Sequence, residues 1–124
     1  FSYAEGHSEE IVARLLRLVP RESVHIAVKS NSGSDPTADD VLRRVEGGLR
    51  RTGAAYFDFL YLWSVLDADQ LSFLLRPGGP YEGALEAKNG AGCVICWFPA
   101  TLPRATRSRL WTAARSRGFC SPTT

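Results

Sequence analysis

No methionine occurs anywhere in these 124 residues, no cysteine occurs before position 93, and no acidic residue occurs after position 92. Each absence excludes something. With Phe1 first and no methionine, the stretch carries no encoded start, and it is expected to be an internal piece of a longer protein. A cysteine-free body is expected in the cytoplasm, because disulfide frameworks belong to oxidising compartments. No apolar run approaches the ~20 residues that a membrane-spanning helix needs, and no secretory leader pattern is present. The length allows one domain at most. What remains is charge, and it is split. Residues 1–92 hold 13 acids and 10 bases, whereas residues 93–124 hold five arginines and no acid. A mildly acidic bulk gives no electrostatic reason to expect nucleic acid.

The first ninety residues alternate between two periodicities. Ser8 precedes Glu9 and Glu10, then Ile11, Leu15 and Val19 recur with Val12 and Leu16 beside them. That predicts an N-capped amphipathic helix, stopped at Pro20. Val24–Lys29 is short, β-branched and nearly all apolar, as a buried parallel strand should be. His25 interrupts it and is expected to be satisfied locally at the strand's edge. Asn31–Pro36 is turn chemistry, and Thr37 with Asp40 forms a capping box. Val41, Leu42, Val45 and Leu49 make the next stripe, which Gly53 ends in a C′ position. Tyr56–Trp63 is a second apolar strand, with Asp58 inside it in a structural role. Leu71–Leu75 forms a short helix closed by Pro77-Gly78-Gly79, and Tyr81–Lys88 is a last helical stretch.

Helix and strand alternating in this way predict right-handed βαβ units and a parallel sheet. No glycine-rich phosphate loop follows either strand, so the dinucleotide-binding and P-loop patterns are not met. A slice of a (β/α)8 barrel suits the pattern better. In that fold the chemistry sits at the C-terminal ends of strands, here Lys29-Ser30-Asn31 and Trp63-Ser64. A full barrel takes about 250 residues. Two strands and about three helices would leave open edges and bare apolar faces.

Three segments of residues 1–92 resemble the aldo/keto reductase family. Tyr3-Ala4-Glu5-Gly6-His7-Ser8-Glu9-Glu10 is similar to its Tyr-x-x-Gly-x-Ser-Glu segment, and Val24–Lys29 to its strand ending in an essential lysine. Thr52-Gly53-Ala54-Ala55-Tyr56-Phe57-Asp58 is similar to the approach to its next strand, and Tyr61-Leu62-Trp63 looks most like the ferredoxin-linked branch of predicted oxidoreductases. The resemblance implies a (β/α)8 barrel that moves a hydride between a nicotinamide, usually NADPH, and a small-molecule carbonyl substrate. It implies that Tyr3 is the general acid and Lys29 its neighbour, a cation that lowers the phenol's pKa. The family's aspartate before the tyrosine would lie upstream of Phe1. Its histidine falls on Trp63, whose indole donates one hydrogen bond but takes up no proton, so Trp63 is expected to pack or to shape a substrate wall. Loops after later strands hold the cofactor in the family. This chain alone is therefore expected neither to bind NADP(H) nor to turn over substrate.

Residues 93–124 do not follow the family. Read one base earlier, the message from Cys93 onward permits Leu-Arg-His-Leu-Leu-Val-Ser-Ser-His, and Trp111–Gly118 permits Val-Asp-Ser-Gly-Ala-Phe-Glu-Gly. Both are family-like runs in the expected order. The tail is thus expected to be out of frame or disordered. Cys93-x-x-Cys96 lacks the second pair and the histidine that a zinc site needs, so no metal is expected. Two other readings stay open: a noncatalytic structural or regulatory fragment that pairs with another chain, and an RNA-binding segment built on Arg104, Arg107, Arg109, Arg115 and Arg117 with Trp111.

Overall fold

The computed structural model describes residues 7–63, 65–90, 92–97 and 112. Helix α1 spans His7–Leu15, strand β1 Ala27–Asn31, helix α2 Ala38–Thr52, strand β2 Phe57–Trp63, helix α3 Ala68–Leu75, helix α4 Pro80–Asn89 and strand β3 Cys93–Trp97. The sheet runs β1-β2-β3 with both pairings parallel. No helix among the described residues is long and apolar enough to cross a membrane.

The expected parallel βα architecture is present, with one strand more than expected. Residues 93–97, assigned from sequence to the tail, continue the sheet: Phe57 lies level with Cys93 and Tyr61 with Trp97. The physical reason is local. Cys-Val-Ile-Cys-Trp is apolar and rich in strand-forming residues, so it pairs with β2 whatever its relation to the family pattern. The rest of the tail, Thr112 apart, lies outside the described residues.

Helix α2 starts and stops as its sequence demands. The Thr37 hydroxyl accepts from the Asp40 amide at 3.2 Å while the Asp40 carboxylate accepts from the Thr37 amide at 3.1 Å. At the other end Gly53 adopts φ 70°, the left-handed conformation that glycine reaches without strain. Helix α3 has its own cap, one that the sequence also carries three residues ahead of Gln70: the Asp67 carboxylate accepts from the Gln70 amide at 2.7 Å. Pro80 opens α4 in the first helical position, where its missing N–H costs nothing.

The core lies between the sheet and the α2–α4 pair. Val41 and Val45 from α2, Tyr81, Ala84 and Ala87 from α4, and Leu60 and Leu62 from β2 are all buried. The two helices approach so closely that a side chain at Gly83 would meet the Ala38 backbone at 2.3 Å. Only glycine fits there.

Two local expectations are corrected. Ser8 lies within the first turn of α1, which runs from His7. Strand β1 starts at Ala27 instead of Val24, because the Ile26 amide donates to the Asp58 carboxylate at 2.8 Å and not to a strand carbonyl. The α1 stripe also divides. Val12 and Leu16 pack against the core, whereas Ile11 is 65% exposed and Leu18 82%.

Candidate active-site rim

Parallel pairing sets level residues on the same side of a sheet, and successive residues alternate sides. On β2, Leu60 and Leu62 face the helices, so Phe59, Tyr61 and Trp63 stand on the opposite face. Their β1 partners there are Ala27, Lys29 and Asn31. Lys29 is exposed on this open face, level with Tyr61, and Trp63 is 40% exposed at the C-terminal end of β2. One diagonal step separates them, roughly 8 Å between Cα atoms from ordinary sheet spacings. The structure therefore brings Lys29 and Trp63 to one rim. Tyr3 lies outside the described residues. The Phe59 and Tyr61 rings stack at 6.2 Å, with His25 edge-on to Phe59 at 6.1 Å, making an aromatic stripe down the same face.

A buried network lies directly beneath the rim. Ser30 is fully buried, and its hydroxyl donates to the Asp35 carboxylate at 2.8 Å. Arg44 from α2 grips the same carboxylate with both prongs of its guanidinium, through Nε and, at 2.7 Å, through Nη2. The intervening loop folds back on itself, with the Asp35 amide donating to the Asn31 carbonyl at 2.7 Å. It also reaches across the sheet, where the Ser32 amide donates to the Trp63 carbonyl at 3.3 Å. By its residues alone, Asn31–Pro36 is turn chemistry and nothing more. No local pattern pairs Asp35 with Arg44, so only the fold could join them.

At the opposite, N-terminal end of the strands stands a second cluster. Arg21 donates to the Tyr56 carbonyl at 2.8 Å and to the Asp58 carboxylate at 2.5 Å, and lies 4.0 Å over the Tyr56 ring. His25 Nδ1 is 3.2 Å from Asp58, in line with its expected local satisfaction. Burial pushes the Asp58 carboxyl up, but the Ile26 amide, the Arg21 guanidinium and the His25 ring together outweigh it and hold its pKa at about 2. Asp58 is thus an anchor at the end of the sheet away from the rim. Glu9 in α1 pairs with Arg51 in α2, and the guanidinium holds its carboxyl below the usual range.

No protein-family model matches the chain, and no curated protein does. Solved structures do. An aldo-keto reductase from Klebsiella pneumoniae in complex with NADPH superposes with a TM-score of 0.69 at 21% identity, over 90% of this chain and 36% of that one. An aldo-keto reductase from Bacillus halodurans in its holo form gives 0.61 at 20% identity, over 83% and 33%. One from Bombyx mori in complex with NADP gives 0.58 at 18%, over 77% and 33%. The chain spans about a third of the length of these proteins. At such identity the likeness is one of fold: the described residues have the architecture of a segment of an aldo-keto reductase (β/α)8 barrel. The family that residues 1–92 resemble in sequence is also the one whose structures match.

Proposed function

We propose that this chain is a segment of an NADP(H)-dependent reductase of the aldo/keto type, whose parent protein transfers a hydride to the carbonyl of a small molecule. The observation that carries this reading is the position of Lys29, exposed at the C-terminal rim on the face that a closed barrel would turn inward, one diagonal step from Trp63. NADP(H) supplies the hydride when bound to the parent. This chain's part is the proton: Tyr3 gives it to the nascent alkoxide, and the Lys29 ammonium lowers the phenol's pKa by stabilising phenolate. Trp63 forms a wall of the substrate site and moves no proton, since an indole only donates.

Alone, the chain binds no dinucleotide. In the family the loops that hold the dinucleotide follow later strands than the three described here. NADPH fluorescence titrated with the 124-residue chain should show no saturation at micromolar concentrations. Saturable micromolar binding would overturn this.

Residues 93–124 enter the reading as the product of a shifted frame, supported by the family-like runs that the shifted message permits. Resequencing the DNA around the Gly90–Cys93 codons decides it. An added or missing base is expected, and an intact frame removes the idea.

A second reading, a noncatalytic segment that completes a barrel with another chain, draws on the exposure of Ile11 and Leu15 on α1 and of Leu18 in the turn after it. Co-purification with a complementary barrel fragment would favour it.

A further inference from the structure

We propose that Asp35 is a positioning residue: clamped by Arg44 from α2, its carboxylate fixes the end of β1 so that Lys29 stands on the open face of the sheet. The inference rests on the reading of Lys29 given above and names what aims it.

Residues 29 and 30 must point to opposite faces, so whatever pins Ser30 inward drives Lys29 outward, and a slip of one residue would exchange them. Ser30 carries no bulky apolar group to hold it in the helix layer. Its hydroxyl is instead spoken for by the Asp35 carboxylate at 2.8 Å.

That carboxylate is 4% exposed, a placement that is unfavourable unless its oxygens are filled. They are filled by Ser30 and by the two prongs of Arg44, a planar fork that matches a carboxylate as a lysine could not. Helix α2 therefore dictates the geometry of the neighbouring strand end. The same loop holds the second rim residue. Gly33 donates to the Asn31 side chain at 2.7 Å, Ser34 to the Asn31 carbonyl at 3.0 Å, and Ser32 to the Trp63 carbonyl at 3.3 Å. Lys29 and Trp63 are thereby referred to one clamp.

A loop anchor without this role would stabilise the fold but leave Lys29 no different from any other lysine. The chain offers an internal control, since Lys29 and Lys88 are its only lysines. Competitive acetylation of the full chain with an N-hydroxysuccinimide ester, read by peptide mass spectrometry, gives the ratio of their rates. Loss of the outward placement turns Lys29 towards the helix layer and lowers its rate alone, whereas general loosening raises both rates.

Asp35→Asn should lower the Lys29-to-Lys88 ratio about threefold, and Ser30→Ala about twofold, with the Lys88 rate unchanged. An unchanged or raised ratio in Asp35→Asn with a wild-type circular-dichroism spectrum would overturn the proposal. Should Asp35→Asn lose that spectrum, the ratio in Ser30→Ala decides by the same criterion. The measurement uses neither cofactor nor turnover. Its failure leaves the reductase reading standing, and failure of that reading leaves this ratio untouched.

Discussion

On the flank under α2 and α4, Leu60 and Leu62 are covered until almost nothing of either side chain meets water, whereas α1, beside β1, buries none of its nine residues. Both flanks follow the same βα grammar, and their helices carry comparable apolar patterns. The difference lies in what stands next to them. Helix α2 has β1 and β2 beneath it, α1 on one side and α4 on the other, packed so closely that only Gly83 fits. Helix α1 has α2 as its one helical neighbour among the described residues, through Glu9–Arg51 and the contacts of Val12 and Leu16. An amphipathic helix is satisfied only as far as its neighbours reach. Among the described residues, the half-covered α1 stripe, the edge of β1 away from β2 and the half-buried Phe59–Tyr61 stripe share one feature, a shortage of neighbours packed against them.

The sharpest way to break this contrast is to cut into the finished flank. Leu60→Ala removes a fully buried side chain from the central strand and should cost about 3 kcal/mol in urea unfolding, the usual range for such a cavity. A loss below about 1 kcal/mol would mean that the α2–α4 layer is not the stable part.

The bolt between the flanks comes next. Arg21, after α1, reaches Asp58 in the central strand, whose carboxyl sits at about 2 against an ordinary 3.8. A depressed carboxyl stabilises the fold fully above its unfolded pKa and loses that contribution as pH falls towards the folded one. Unfolding monitored from pH 5 down to pH 2 should therefore show about 2 kcal/mol disappearing, most of it below pH 4. Asp58→Asn should remove that dependence, and an unaltered acid profile in this variant would place the anchor elsewhere.

The smallest effect is expected on the open flank. Ile11→Ser at a position 65% exposed should change stability by less than about 0.5 kcal/mol. A loss above about 1 kcal/mol would show instead that this face is covered in solution.

Much of the fold could be read along the chain because its cues are short-range. The Thr37–Asp40 capping box, the Gly53 cap, the Pro80 start and the apolar strand at Phe57–Trp63 each depend on residues a few positions apart. The features that depart from the sequence expectation have the opposite character. Strand β1 starts late because a carboxylate 32 residues away takes the Ile26 amide. Cys93–Trp97 departs from the family pattern, yet strand propensity and an available edge on β2 are enough to seat it. Of the candidate site, the family resemblance singled out Tyr3, Lys29 and Trp63; Lys29 and Trp63 lie at one rim, and Tyr3 lies outside the described residues. Asp35 and Arg44 could not be singled out, since nothing in a turn-rich hexapeptide says which arginine of the next helix will grip it.

The order of residues was enough to set helix against strand, to place the caps, and to make the sheet parallel, because backbone preference and hydrophobic period act over one or two turns of chain. Which side of the sheet Lys29 faces, which arginine neutralises which carboxylate, and how much of each apolar stripe is covered were settled by packing. Those outcomes depend on distances between segments far apart in the chain, and burial makes an unmatched charge or a misplaced side chain costly only once the layers have met.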